Sequence, residues 1–172
     1  IFFIFLIDRI SKIYVIYINE NFSEPEIFSS KFLNIYLIWN EGIAFGFFSF
    51  EESYLYNILT TVIFIIIILV GFIITKSSGV KKYSLIMIFG GAIGNLYDRI
   101  VFRAVPDFID FHVGNFHWFI FNLADVFITL GVFFMILFEF AGNNKKKIDD
   151  EKYKNFNFKF YFFRYPKFMW NN

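Results

Sequence analysis

Ile63-Phe64-Ile65-Ile66-Ile67-Ile68-Leu69-Val70 lies at the centre of a stretch, Tyr54 to Thr75, that holds no charged residue. A helix of about 20 mostly apolar residues crosses the hydrocarbon core of a bilayer, so this stretch reads as a transmembrane span. Three others join it. Tyr83 to Phe102 is apolar in its first half and then runs Gly90-Gly91-Ala92-Ile93-Gly94-Asn95-Leu96-Tyr97-Asp98-Arg99. Trp118 to Ala141 is apolar apart from Asn122, Asp125, Thr129 and Glu139, and Ile1 to Ile18 is interrupted by Asp8, Arg9 and Lys12. The expected fold is an all-α membrane protein: one domain over 1–142 with spans at about 1–18, 54–75, 83–102 and 118–141, and a basic, aromatic cytoplasmic tail over 143–172. The chain opens on Ile1 with an apolar run already under way, which suggests that a few starting residues are missing.

Composition agrees. The 172 residues are 58% hydrophobic and 25% aromatic, with a mean hydropathy of +0.56, more than a soluble domain needs for one core. With no Cys, disulfides, thiolate nucleophiles and Cys-based metal sites are excluded together. Lys76, Lys81 and Lys82 follow the second span and Lys145, Lys146 and Lys147 the fourth, whereas 19–53 holds six Glu against Lys31 alone. Lys and Arg gather on cytoplasmic loops, so both termini are expected inside and the segments 19–53 and 103–117 outside. Phe28, Phe32 and Ile35 to Trp39 suit short strands, a small extracytoplasmic β-cradle between spans one and two; an aromatic belt at the interface is the other reading.

Acids in or beside a bilayer cost several kcal/mol unless paired, solvated or protonated, so they are candidates for function. Asp107 lies in Val105-Pro106-Asp107-Phe108-Ile109-Asp110 and Asp125 in Phe121-Asn122-Leu123-Ala124-Asp125. In an antiparallel bundle both fall toward the outer side. Two adjoining carboxyls share a proton and titrate as a pair, one serving as general base on water and the other as general acid. Spacing alone leaves open two acids solvated separately at a rim, and Asp110 is the rival for the role of Asp107.

Other residues carry structural and functional readings side by side. Gly90-x-x-x-Gly94 lets two membrane helices approach closely. Asp8 and Lys12 form an i,i+4 pair. Asn95 and Arg99 lie one turn apart on one face; Arg99 either grips a carboxylate or phosphate, or pairs with Asp98, or snorkels to the interface. Ser11-Lys12 is disfavoured as a dyad because neighbours on a helix point about 100° apart. His112 and His117 lack the His-Glu-x-x-His spacing of a zinc protease and read as interfacial aromatics.

These blocks, in order, resemble lipoprotein signal peptidase (signal peptidase II), a bacterial intramembrane aspartic protease family. They are Asp8 with Ser11-Lys12; Trp39-Asn40-Glu41-Gly42-Ile43-Ala44-Phe45-Gly46; Gly90 to Arg99; Val105-Pro106-Asp107-Phe108-Ile109; and Phe121-Asn122-Leu123-Ala124-Asp125-Val126. The resemblance implies four spans with both termini cytoplasmic in the bacterial inner membrane, and an outer cradle of strands. It implies Asp107 and Asp125 as the catalytic pair, Asn40, Gly42, Asn95, Arg99 and Asn122 lining the substrate site, and Asp8 in support. The substrates would be prolipoproteins cut just before a diacylglyceryl-modified cysteine, held with membrane lipid by a monomer; no metal, cofactor or nucleic acid is called for. Pro106 departs from the family, where Val is commoner. A non-catalytic relative that binds lipoproteins, or a proton-conducting bundle, is the alternative.

Overall fold

The computed structural model describes residues 1–22, 26–42 and 53–140. The chain divides into two compact units, Ile1–Met135 and Ile136–Asn172, and of the second only the helical residues through Phe140 are described. The tail expected over 143–172 and the part of the cradle over 43–52 lie outside the described residues.

The element order is α1 (Phe2–Asn21), β1 (Glu26–Ser29), β2 (Leu33–Asn40), α2 (Ser53–Lys76), α3 (Gly79–Val101), β3 (Val105–Val113), β4 (Phe116–Phe121) and α4 (Leu123–Phe140). Of the helices among the described residues, Tyr54–Lys76 and Leu123–Phe140 are long and apolar enough to cross a membrane, and only 11% of each apolar window is buried. A core helix of a soluble protein would be mostly covered; here Ile58, Val62, Ile65 and Leu69 stand exposed along α2, an apolar surface suited to lipid.

The helices and the small antiparallel sheet are as expected, but the sheet is not confined to the first loop. Its strands run β1-β2-β3-β4, so half of it comes from 105–121. Asp107 lies opposite Ile38 and Val105 opposite Asn40 across the β2–β3 pair, while Val113 faces Phe116 across a two-residue turn in which Gly114 takes φ 59°, a conformation costly for a residue with a Cβ. The fourth span accordingly begins later than the hydropathy suggests: 118–121 is strand and the helix starts at Leu123. The physical reason is a reciprocal cap. Asn122 Oδ1 accepts from the Asp125 backbone N–H at 3.1 Å and Asp125 Oδ2 accepts from the Asn122 N–H at 3.2 Å, which satisfies two backbone donors at the helix start.

Glycine sets the helix spacing. A Cβ on Gly90 would meet Ile4 at 3.0 Å, and one on Gly94 would meet the Asp8 carboxylate at 2.5 Å; one on Gly91 would run into the Ala124 carbonyl. The Gly90-x-x-x-Gly94 strip therefore packs on α1, and Gly91 admits the start of α4.

That close approach closes a buried ion cluster. Asp8, Lys12 and Asp98 are 0% exposed, and Lys12 Nζ pairs with Asp8 at 3.0 Å and Asp98 at 2.7 Å, while Arg9 pairs with Asp98 at 2.5 Å and Asp8 at 3.1 Å. The expected Asp8–Lys12 pair forms. Asp98 does not partner Arg99 but is drawn to the two cations of α1. Each charge left alone in a bilayer would cost roughly 3 kcal/mol; two acids and two bases in mutual contact leave no net charge to solvate.

Candidate active site

Asp107 and Asp125 line one cavity of about 590 Å³ together with Asn40, Asn95 and Arg99. Apolar side chains of α2 and α4, such as Ile63 and Ile128, form the rest of its wall.

Each carboxylate is held by amide donors. Asn40 Nδ2 donates to Asp107 Oδ2 at 2.8 Å and Asn122 Nδ2 to Asp107 Oδ1 at 2.6 Å. Asn95 Nδ2 donates to Asp125 Oδ1 at 2.8 Å. Asn122 thus spans the pair, gripping Asp107 through its side chain and Asp125 through the helix cap. Behind Asn95, Lys12 Nζ donates to its Oδ1 at 2.8 Å, so the ion cluster fixes which way the Asn95 amide faces. Asp8 reinforces the junction by accepting from the Ala124 N–H at 3.1 Å.

Arg99 donates to the Gly42 carbonyl at 3.1 Å and, at 3.4 Å, to the Asn95 carbonyl; its Nε is buried with no hydrogen-bond partner among the described residues. Gly42 N–H donates in turn to Asn40 Oδ1 at 2.9 Å. The guanidinium therefore organises the end of β2 and keeps one donor uncommitted beside the cavity.

Burial pushes the Asp107 carboxyl up to about 7; the charge of Asp125 adds to the rise, and the Asn40 and Asn122 amides and Lys12 oppose it. A carboxyl with that pKa exchanges its proton near neutrality, as general acid–base chemistry requires.

Of the residues expected at the site, Asp107, Asp125, Asn40, Asn95 and Arg99 line the cavity, Gly42 and Asn122 join them through hydrogen bonds, and Asp8 lies behind. Sequence reasoning missed the link through Lys12 and the double role of Asn122; Asn-x-x-Asp before an apolar run was the available signal for the latter. Asp110 lies elsewhere. Side chains alternate across a strand, so Asp110, three residues from Asp107, faces the other side of the sheet, where His117 Nδ1 lies 2.8 Å from its Oδ2. His117 and His112 stack with centroids 5.1 Å apart, so His117 touches both Asp110 and the His112 ring.

Helices with lipid-type outer surfaces and a largely apolar cavity that carries two acids define the class: a membrane enzyme. Residues 1–141 match the model of a family described as signal peptidase (SPase) II, and the chain belongs to that family. It is 50% identical over 143 residues to a lipoprotein signal peptidase of Pelagibacter ubique (strain HTCC1062), covering 83% of this chain and 86% of that one. To the lipoprotein signal peptidase of Anaplasma marginale (strain Florida) it is 39% identical over 148 residues, covering 85% of each. Among solved structures, one described as a bacterial membrane enzyme superposes with a TM-score of 0.64 at 27% identity, over 84% of this chain and 87% of that one.

Proposed function

We propose that this chain is an intramembrane aspartic endopeptidase that removes the signal peptide from diacylglyceryl-modified prolipoproteins, cutting before the lipidated cysteine. Family membership and the relatives' names support removal of signal peptides from prolipoproteins. The aspartic mechanism rests on one observation above all: Asn122 ties Asp107 and Asp125 together at the wall of a single cavity. One carboxylate takes a proton from water, whose oxygen attacks the scissile carbonyl carbon. The other carboxyl hydrogen-bonds the developing oxyanion and supplies the proton that the leaving amine needs as the C–N bond breaks. Asn40, Gly42, Asn95, Arg99 and Asn122 line the substrate site, with the free Arg99 Nε aimed at a peptide carbonyl or lipid oxygen.

The four helices all cross the bacterial inner membrane, the termini and the tail over 143–172 are cytoplasmic, and the sheet covers the site at the outer face. The enzyme works as a monomer. A substrate anchored by its acyl chains meets the pair where its signal helix ends.

The test is a gel-mobility cleavage assay of purified protein in lipid, with a diacylglyceryl-modified prolipoprotein and its unmodified form. Cleavage of the lipidated form alone is expected. Asp107→Asn and Asp125→Asn should lower turnover at least about 10³-fold, the scale on which loss of an essential acid or base is felt. Near-normal turnover by either inserted variant would refute the pair.

A further inference from the structure

On the face of the sheet turned away from Asp107, Asp110 and His112 stand two residues apart on β3 and so share a side, and His117 lies directly opposite His112 on β4. One oxygen of Asp110 and one ring nitrogen of each histidine all lie within 4.8 Å of one another. From this juxtaposition we infer that Asp110, His112 and His117 form a binding site for a divalent transition-metal ion of the zinc type, separate from the candidate active site.

Two buried atoms point to a ligand. Asp110 is 0% exposed, and among the described residues its Oδ1 has no hydrogen-bond partner; His112 Nδ1 is likewise buried and unpartnered among them. Native proteins satisfy nearly all such atoms, and a bound ion is one of the ways they do so. The contact with His117 Nδ1 at 2.8 Å and the hydrogen bond that Tyr36 Oη donates at 3.4 Å both fall on the other carboxylate oxygen, Oδ2, and leave both of these unmet.

The donor set selects the ion. Two imidazoles with one carboxylate suit zinc, nickel or copper and give calcium or magnesium too few oxygens. A tetrahedral zinc with bonds of about 2.0–2.2 Å holds its ligand atoms about 3.3 Å apart. The Asp110 carboxylate and His117 Nδ1 are already 2.8 Å apart, so closure requires mainly a rotation of the half-buried His112 ring about its two side-chain torsions. Three protein ligands leave a fourth position for water.

Such an ion would staple β3 to β4 across their turn. β3 carries Asp107, and β4 runs into the cap formed by Asn122 and Asp125. The ion would act as a positioning element for those strands, without contact with the reacting atoms; the site stands whether or not the aspartate pair is catalytic.

The experiment uses the full chain in detergent, stripped with a chelator and titrated with zinc chloride, read by metal content per chain and by calorimetry. Cobalt is then substituted to read the ligand field. One zinc per chain is expected, with affinity falling more than about 100-fold in His112→Gln and in His117→Gln, and with the cobalt spectrum altered in both. His117 is half exposed, so His117→Gln retains the fold, which circular dichroism checks. Asp107→Asn, across the sheet, is expected to bind zinc as the unmodified protein does. No zinc on the folded chain, undiminished affinity in His117→Gln, or loss of binding in Asp107→Asn would each overturn the proposal.

Discussion

Asp107 is 3% exposed and sits in β3, and its environment favours the protonated form. Its folded pKa of about 7 stands above an unfolded value of 3.8, so the folded chain binds this proton more tightly. The resulting stability is full below pH 4 and is lost as pH rises through 7. Each pKa unit is worth about 1.4 kcal/mol, so the ionised carboxylate costs the fold on the order of a few kcal/mol at pH 8. Asparagine removes that cost but turns an N–H toward one of the two amides that now donate to Asp107, which returns part of it. Asp107→Asn is therefore expected to melt higher than the unmodified protein at pH 8, by about 1–3 kcal/mol of added stability, with the gain fading toward pH 4. Thermal unfolding in detergent across that range checks it; an Asn variant less stable at pH 8 would mean the carboxylate is well solvated there. The same proton governs turnover, which should decline above about pH 7 as the pair loses it, the apparent pKa belonging to the pair.

The junction of β4 and α4 is where the element pattern and the chemistry coincide. Asn122 caps the helix and donates to Asp107, two jobs that substitution can separate. Asn122→Ala should cost about 1 kcal/mol or more of stability and most of the turnover. Asn122→Ser restores a capping oxygen while falling short of Asp107, so stability should return and turnover should not. Unfolding and cleavage rates measured on both variants decide this, and a fully active Asn122→Ser would show that the contact with Asp107 is dispensable. Much of this was readable beforehand: the apolar stretch of α2, the glycine strip and the polar residues at the cavity follow from local pattern or family blocks, and the strands at 26–40 were one of two readings of their aromatic pattern. The strand at 116–121 was not, because an aromatic run of that length satisfies a hydropathy window as well as it satisfies a sheet; Gly114-Asn115 and Asn-x-x-Asp were the signals that separate the two. Nor was the partner of Asp98, since its cations are Arg9 and Lys12, 89 and 86 residues away, and no local spacing encodes such a contact.

For the whole molecule, the proposed four-span arrangement requires α1 and α3 to carry charge into a bilayer, since among the described residues only α2 and α4 are long and apolar enough to cross one. Asp8, Arg9 and Lys12 of α1 and Asp98 near the end of α3 neutralise one another between the two helices, and Arg99 next to Asp98 is buried at the cavity, so these charges are kept off the outer surface. α3 holds 23 residues, and at about 1.5 Å per residue it reaches roughly 34 Å, enough for a hydrocarbon core of about 30 Å. Its two ends should then face opposite compartments, with Lys76, Lys81 and Lys82 inside and the turn at Gly114-Asn115 outside. The chain contains no cysteine, so single cysteines report without background. Ser78 and Asn115 are both exposed, one before α3 and the other at the tip of the hairpin that follows it. In intact inner-membrane spheroplasts, a membrane-impermeant maleimide is expected to label Asn115→Cys readily and Ser78→Cys only after permeabilisation. Labelling of both from outside would mean that α3 does not cross, and the ion cluster would then be the core of a peripheral helix pair rather than the device that carries four charges into a bilayer.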